Sequence, residues 1–244
     1  MVKSQGPSDL RARGGYDNFL QNPGSRQTRA NTLPVEVLKV SAEEPEPETI
    51  RYAAGFIRRG SAIGIPTDTF YGLAADPFNL AAIEEVFRIK GRPDTKALPI
   101  LVNSLEQAVM LARDLPDNFL ILANRFWPGA LTLVVEATHR LPLKITGNSG
   151  RVALRWANSK VTSELIDEFG GPITGTSANL SGFPACSNAA QLMRQLGDRL
   201  PLILDSGETG AVLASTIVRL QGEDWTLARE GAVPEGEIRK ALEG

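Results

Sequence analysis

The most informative segment of the chain is Ala62-Ile63-Gly64-Ile65-Pro66-Thr67-Asp68-Thr69-Phe70-Tyr71-Gly72-Leu73. It opens with a short apolar run, which predicts a buried strand that ends before Pro66. Two threonines and an aspartate follow at once, so their polar groups come at the carboxyl end of that strand. Turn residues of this kind bond nearby backbone amides. The aromatic residues before Gly72 are more than a turn needs, and they predict the wall of a pocket whose threonine hydroxyls orient a polar substrate.

Strand and helix patterns alternate on either side of this stretch. Residues 35–40 alternate apolar with polar side chains and predict a strand, and residues 50–57 place apolar side chains at helical spacing. Asn79 predicts the N-cap of a further helix, which ends at Gly91. Because the later strand patterns are closely spaced, we predict an α/β protein with α+β character, built on a mixed parallel and antiparallel open sheet flanked by helices. The remaining strand patterns cover residues 98–102, 131–135, 152–156, 172–175, 202–204, 215–220 and 225–228, and the remaining helix patterns cover residues 104–113, 117–126, 159–169 and 188–196.

The composition limits the classes of function. At 244 residues the chain fits one domain of ordinary size, with or without a tail. A net charge of −2 and a pI near 5.6 exclude a protein that coats nucleic acid over its whole surface. The single cysteine, Cys186, cannot form an internal disulfide, and with the single histidine, His139, it provides no zinc cluster. We therefore predict a protein of a reducing compartment, with no metal held by its own side chains.

Two features of the sequence bear on its location. No apolar run approaches the roughly 18 residues of a membrane span, and the N-terminus lacks the apolar core of a secretory signal, which predicts a cytoplasmic protein that does not enter a membrane. Residues 1–32 are rich in Gly, Asn, Ser, Gln and Arg without an apolar period, which predicts a disordered tail. The excess of arginine in this tail leaves organellar targeting open as an alternative.

A basic cluster marks the end of the helix that follows the opening stretch. Arg88, Lys90, Arg92 and Lys96 bring four cations within nine residues of an acidic protein. Basic residues at a helix C-terminus also complement the helix dipole, so the charges alone do not decide for a binding site. The intervening glycine and the following proline fix the backbone, so Lys90 and Arg92 are expected to diverge from a rigid turn. There an arginine can grip a phosphate bidentately while a lysine acts as a point charge.

A second polar cluster follows a later strand pattern, with the sequence Thr176-Ser177-Ala178-Asn179-Leu180-Ser181-Gly182. Hydroxyl and amide groups spaced in this way donate several hydrogen bonds to an oxyanion at little steric cost. Ser215 and Arg229, in the last two strand patterns, are further candidate anion contacts. No P-loop or dinucleotide fingerprint is present in the sequence, so a nucleotide would need a different cradle. Together the clusters predict an anion-binding pocket for nucleotide chemistry.

Six ordered segments of this chain resemble the YrdC-like threonylcarbamoyl-adenylate synthases. They are residues 66–73, 90–93, 127–132, 151–155, 176–182 and 215–218. The resemblance implies a twisted mixed sheet with a positively charged central cavity, in one catalytic domain of residues 33–244. It also implies synthesis of threonylcarbamoyl-AMP and pyrophosphate from L-threonine, bicarbonate or CO2, and ATP with Mg²⁺. The product would serve threonylcarbamoyladenosine modification of tRNA through a downstream transfer enzyme.

The same resemblance implies roles for individual residues. The Lys-x-Arg and Ser-x-Asn positions of the family match Lys90, Arg92, Ser177 and Asn179, which are implied to be catalytic. The residues implied to bind threonine are Thr67, Tyr71, Arg155 and Ser215. Those implied to bind ATP are Lys90, Arg92, Asn179, Ser187 and Arg229.

One position departs from the family pattern. Some long members carry a histidine where this chain has Leu101, so a side-chain bond to threonine is not expected there. Short members lack that histidine too, and no segment here corresponds to the additional C-terminal domain of the long members. The resemblance is therefore to a short, single-domain member.

Two other functions stay open at this point. A non-catalytic RNA-binding module would also use a positive cavity, and an arginine-bearing tail would add phosphate contacts. A carbamoyl-transfer module would make carbamoyl-adenylate from carbamoyl phosphate, as the related domain of hydrogenase-maturation proteins does. Synthesis from threonine would depend mainly on alignment and charge neutralisation by Lys90, Arg92 and Arg229, because both reactants are anions.

Overall fold

A computed structural model describes residues 34–93 and 95–243 of the chain. The tail predicted for residues 1–32 lies outside the described residues. The strands are β1 (Glu36–Lys39), β2 (Ile63–Ile65), β3 (Gly72–Ala74), β4 (Ile100–Leu101), β5 (Leu131–Glu136), β6 (Arg151–Arg155), β7 (Ile173–Thr174), β8 (Thr176–Ser177), β9 (Leu202–Asp205), β10 (Thr216–Gln221) and β11 (Asp224–Arg229). The helices are α1 (Pro47–Arg58), α2 (Leu80–Lys90), α3 (Leu105–Leu111), α4 (Asp117–Phe126), α5 (Lys160–Phe169), α6 (Ala189–Leu196) and α7 (Glu235–Glu243), and Gly197–Arg199 form a 3₁₀ turn.

These strands form two mixed sheets. The first has the order β1-β9-β2-β3-β8, and the second has the order β11-β10-β5-β6-β4-β7. Each sheet contains parallel and antiparallel pairs; β2, for example, lies parallel to β9 and antiparallel to β3. The mixed α/β class with flanking helices is confirmed. The strands nevertheless divide between two sheets where the sequence predicts one.

The division between the sheets falls at Gly175. The sequence predicts one strand for residues 172–175, but the structure assigns Ile173–Thr174 to the second sheet and Thr176–Ser177 to the first. Between these two short strands, the amide of Gly175 donates to the carbonyl oxygen of Pro99 at 2.8 Å. The chain therefore passes from one sheet to the other within a few residues, and it reaches the 176–182 cluster at the end of the first sheet.

The helix boundaries follow from local capping. Asn79 Oδ1 accepts hydrogen bonds from the amides of Ala81 at 3.0 Å and Ala82 at 3.3 Å, which satisfies donors that the first turn of α2 leaves free. Gly91 ends the same helix in the left-handed conformation, with φ of 57°. Ser104 caps α3 by accepting from the amide of Gln107 at 3.2 Å. The predicted N-cap and the predicted end of α2 are both confirmed.

The apolar core has two clusters. One packs α1 and α5 against the first sheet, and the buried face of α1 consists of the four residues Ile50, Ala53, Ala54 and Ile57. The other lies between the second sheet and the helices α2 and α4, where Phe119 is fully buried. Each fully buried large apolar side chain contributes about 1.5–3 kcal/mol to folding. Both sheets are therefore rigid supports for the polar loops at their ends.

Besides β8, two elements are missing from the sequence prediction. β3 is three residues long and lies inside the stretch interpreted as a pocket wall, and α7 buries a single residue, Ile238. Such short or weakly patterned segments give little periodic signal. Within residues 34–93 and 95–243, no helix is long and apolar enough to cross a membrane.

Candidate active site

A cavity of about 610 Å³ lies against one face of the second sheet. Its floor is formed by alternate residues of neighbouring strands, among them Thr132 and Val134 of β5, Ala153 and Arg155 of β6, and Ile217 of β10. The intervening residues of β5 and β6 are buried in the apolar core, because successive side chains of a strand point to opposite faces. The loops after β2, α2 and β8 complete the lining.

The charges on the cavity wall have one sign. No aspartate or glutamate is among the lining residues in the part of the chain that the structure describes. A concave surface with this composition attracts anions, because low-dielectric walls concentrate the field of the cations. The basic lining residues are Arg92, Lys96, Arg151, Arg155, Arg219 and Arg229.

Arg155 is held by three acceptors. Its Nε donates to the carbonyl oxygen of Gly129 at 3.0 Å, and Nη1 donates to Thr69 Oγ1 at 2.9 Å. Its Nη2 donates to Asp68 Oδ1 at 2.5 Å. A guanidinium carries five N–H groups, so two are left for a ligand in the cavity. A planar cation held in this way is suited to a carboxylate.

Lys90 lies behind the 176–182 loop rather than on the cavity wall. The side chain is 2% exposed and its Nζ donates to the carbonyl oxygens of Ser177 and Asn179, the latter at 3.0 Å. A third bond goes to Asn179 Oδ1 at 3.3 Å. Burial lowers the pKa of Lys90 to about 7, with the charge of Arg92 as a smaller cause. The sequence predicts a direct ligand contact for Lys90; its three donors are instead spent on the loop.

Arg92 faces the cavity from the other side of Gly91. Its Nη2 donates to the carbonyl oxygen of Ala97 at 2.8 Å, and Nη1 lies 3.4 Å from Thr176 Oγ1. Its buried Nε has no hydrogen-bond partner among the described residues. Burial also lowers the pKa of this guanidinium. The left-handed turn at Gly91 thus makes the two side chains diverge, as predicted. Lys90 points into the protein interior and Arg92 points into the cavity.

The 176–182 loop is organised before any ligand arrives. Ser177 Oγ donates to Asn179 Oδ1 at 2.6 Å. The amide nitrogen of the Asn179 side chain donates to the carbonyl oxygens of Leu180 at 2.9 Å and Phe183 at 2.7 Å. Both Ser177 and Asn179, which the sequence predicts as site residues, line the cavity.

Ser215 and Arg229 meet at the other end of the floor. Arg229 Nη2 donates to the carbonyl oxygen of Ser215 at 2.7 Å and lies 3.2 Å from its Oγ. Ser215 Oγ in turn lies 2.9 Å from Thr132 Oγ1. Burial, and then the charge of Arg155, lower the pKa of Arg229, so the two guanidiniums are close enough to repel each other. The structure thus brings together two of the predicted threonine contacts and one predicted ATP contact.

Thr67 and Tyr71 have different positions. Thr67 lines the cavity, and its Oγ1 donates to the carbonyl oxygen of Phe70 at 2.7 Å. Tyr71 is fully buried, and its hydroxyl donates to the carbonyl oxygen of Gly207 at 2.7 Å. Burial, and then the charge of Asp205, raise the pKa of Tyr71 to about 12. Because side chains alternate as the chain enters β3, Phe70 forms the predicted aromatic wall and Tyr71 belongs to the core.

Ser187 lies in a neighbouring cavity of about 490 Å³. The two cavities share Phe70 and Ala185. Ser187 Oγ donates to Glu208 Oε1 at 3.0 Å. A ligand that extends past Phe70 would therefore reach Ser187, which the sequence predicts as an ATP contact.

The remaining reactive side chains are outside this arrangement. Cys186 is buried, and burial raises the pKa of its thiol. His139 is exposed and does not line the cavity. Among the described residues, no three His, Cys, Asp or Glu side chains are placed to hold a metal ion.

Some site residues were missed by sequence reasoning. Thr132 holds Ser215, and Arg151 and Arg219 add charge to the lining. The available signal was the alternation in the strand patterns. Arg151, Ala153 and Arg155 share one face of β6, so placing Arg155 in the cavity also predicts that Arg151 faces it.

Comparison with known proteins places the chain in a family. Residues 55–231 match the model of the Sua5/YciO/YrdC family, which carries the description "Telomere recombination". The chain belongs to this family. The threonylcarbamoyl-AMP synthase of Pyrococcus abyssi is 38% identical to this member over 200 residues, covering 82% of this chain and 59% of that protein. The threonylcarbamoyl-AMP synthase of Bacillus subtilis is 32% identical over 205 residues, covering 84% of this chain and 58% of that protein.

A solved member of the Sua5/YciO/YrdC family also matches the fold. The crystal structure of P. abyssi Sua5 complexed with L-threonine aligns with a TM-score of 0.81 at 38% identity, covering 84% of this chain and 60% of that chain. The chain thus spans about three-fifths of the length of each of these relatives. The family resemblance inferred from the six sequence segments is confirmed.

Proposed function

We propose that this family member synthesises L-threonylcarbamoyl-AMP, with release of pyrophosphate, from L-threonine, bicarbonate or CO2, and ATP. The observation that carries the proposal is the cavity itself, which presents six basic side chains and the hydroxyl and amide groups of Ser177, Asn179 and Ser215, with no carboxylate among the described residues that line it. Polyanionic reactants fit such a surface. The named activity of the relatives and the threonine bound to P. abyssi Sua5 support the same assignment.

The amino acid would bind at the Arg155 end of the cavity. The two free N–H groups of Arg155 would take its carboxylate, and Thr67 and Ser215 would contact its polar groups. Arg92, Ser177, Asn179 and Arg229 would hold the phosphates of ATP, and Ser187 would contact a part of ATP beyond Phe70. Lys90 would act on ATP through the loop that it holds, because it positions Ser177 and Asn179.

The chemistry then has two steps. The neutral amine of threonine attacks CO2, loses a proton and becomes a carbamate. A carbamate oxygen attacks the α-phosphorus of ATP, the bond from that phosphorus to the bridging oxygen breaks, and pyrophosphate leaves. Because both reactants are anions, alignment and charge neutralisation supply most of the rate. Arg92 and Arg229 would neutralise the charge of the phosphates.

Mg²⁺ would accompany ATP. Among the described residues, the polar side chains that line the cavity are cations, hydroxyls and amides, which suit phosphate oxygens and include no carboxylate to bind the metal. We therefore propose that Mg²⁺ is held through the phosphates and supplies charge neutralisation there. We further propose a cytoplasmic location and transfer of the adenylate to a tRNA-modifying enzyme.

The test is release of pyrophosphate from ATP and bicarbonate, with and without L-threonine. We expect release that depends on threonine. Turnover with carbamoyl phosphate in place of threonine and bicarbonate would favour the carbamoyl-transfer alternative. Salt-dependent RNA binding without ATP turnover would favour the RNA-binding module.

A further inference from the structure

Asp68 and Arg155 form an ion pair at the edge of the cavity. Asp68 Oδ1 lies 2.5 Å from Arg155 Nη2, and the two side chains are 15% and 8% exposed. Arg155 lines the cavity, whereas Asp68 is not among the lining residues. Of the six basic lining residues, Arg155 alone pairs with a carboxylate of the described chain. Among the basic residues that line the cavity, only the positive charge of Arg155 is therefore offset by a carboxylate of the described residues.

This compensation divides the cavity into two regions. The uncompensated arginines and lysine suit phosphate groups, whose charge they neutralise. At Arg155, the carboxylate of Asp68 offsets the positive charge, so a ligand there is recognised by the geometry of the guanidinium more than by its charge. A single carboxylate meets that geometry, and a polyphosphate gains less there than elsewhere in the cavity.

The pair also fixes the orientation of the guanidinium. Asp68, Thr69 and Gly129 each take one N–H of Arg155, and the two remaining N–H groups are left for a ligand. Arg229 lines the same cavity, and burial and then the charge of Arg155 lower its pKa; removal of Asp68 would leave the charge of Arg155 uncompensated near this second guanidinium. An arginine binds phosphate as well as carboxylate bidentately, so an uncompensated Arg155 would also accept a phosphate group.

We propose that Asp68 is a specificity-determining positioning residue, which orients Arg155 and offsets its charge so that this end of the cavity takes an amino-acid carboxylate and rejects phosphate groups. The proposal rests on the proposed function, since it assigns the region beside Arg155 to the amino acid. It adds a residue that acts through Arg155 without itself contacting a substrate.

The variant Asp68→Asn tests the proposal, because it keeps the shape and one oxygen acceptor and removes the charge. We expect the Kd of L-threonine to rise about tenfold, because a neutral amide oxygen holds the guanidinium of Arg155 less firmly than a carboxylate does. The Kd of ATP should change by less than about twofold. A general loss of structure would instead weaken the binding of ATP as well. Pyrophosphate, used as the probe, should compete with L-threonine in Asp68→Asn and not in the unaltered protein.

A matched control is Glu84→Gln. It removes a carboxylate that pairs with Lys144 at 3.0 Å, and neither residue lines the cavity. We expect this variant to behave as the unaltered protein in all three binding measurements. Identical results for Asp68→Asn and Glu84→Gln would overturn the proposal.

Two further measurements apply if Asp68→Asn does not fold. Thr69→Val removes one acceptor of Arg155 without a change of charge, so it should weaken threonine binding and leave pyrophosphate unable to compete. The unaltered protein saturated with pyrophosphate should bind L-threonine with unchanged Kd; a Kd that rises in proportion to pyrophosphate would overturn the proposal. Failure of the unaltered protein to bind L-threonine at all would instead contradict the proposed function.

Discussion

Lys90 Nζ donates to the carbonyl oxygen of Asn179 at 3.0 Å, and this bond fastens the end of α2 to the loop after β8. The same nitrogen reaches Ser177 and the side chain of Asn179, so its three donors all serve one loop. Lys90 is 2% exposed and does not line the cavity, but it positions two residues that do.

Replacement of this lysine should lower turnover through the loop. Lys90→Met keeps the length of the side chain and removes the donor to the carbonyl oxygen of Asn179, whereas the carbonyl oxygen of Ser177 keeps its bond from the amide of Asn179 at 3.0 Å. We expect turnover to fall about 100-fold, comparable to the loss of one preorganised donor in an active site. Steady-state kinetics on a variant with a native circular dichroism spectrum would measure the effect. Unchanged turnover would mean that the loop holds its position without Lys90.

Stability should rise with pH in a window set by Lys90. The pKa of this lysine falls from 10.5 to about 7 in the folded protein because of burial. Between those values the unfolded state binds more protons than the folded state, so the free energy of unfolding increases with pH, by at most about 1.4 kcal/mol per pH unit. Denaturant unfolding at pH 7.5 and pH 8.5, roughly one pH unit apart within that window, gives the change of the free energy of unfolding with pH. Lys90→Met should lack this contribution; an equal slope in the variant would contradict it.

Tyr71→Phe should affect stability and leave the cavity intact. The hydroxyl of Tyr71 donates to the carbonyl oxygen of Gly207, and the variant leaves that oxygen without this donor. We expect the free energy of unfolding to fall by about 1 kcal/mol. The KM for L-threonine should change less than twofold, because the side chain lies in the core. A rise of tenfold or more in that KM would restore Tyr71 to the binding site.

Gly175→Ala should destabilise the junction of the two sheets. A Cβ at this position would lie 2.3 Å from Cγ of Leu101, so the added methyl group overpacks a buried site. We expect a loss of about 1–3 kcal/mol in thermal or denaturant unfolding. The double variant Leu101→Ala with Gly175→Ala should lose less than the sum of the two single variants. Additive losses would show that the two residues do not compete for the same space.

Much of the fold followed from local patterns in the sequence. Asn79 and Gly91 mark the ends of α2 because an N-cap side chain and a left-handed glycine act within one helical turn. The exchange between sheets at Gly175 could not be predicted, because it depends on how closely Leu101 approaches from a strand far away in the sequence. The helix α7 escaped prediction because its burial rests on Ile238 alone.

The site divides in the same way. The residue types of Arg92, Ser177 and Asn179 predict an anion site, and all three line one cavity in the structure. The direction of a side chain at a turn was harder to infer: Lys90 and Tyr71 each stand next to a cavity-lining segment, and both point into the protein. Tertiary contacts that sequence spacing does not reveal decide such cases.

Synthesis of threonylcarbamoyl-AMP can be tested by mass spectrometry of the products formed from L-threonine, ATP and isotope-labelled bicarbonate. We expect an adenylate that contains threonine and carries the label, together with an equal amount of pyrophosphate. The label must enter through the carbamate, so its presence ties the cavity to that chemistry. ATP binding with no labelled adenylate, under conditions in which L-threonine also binds, would contradict the account.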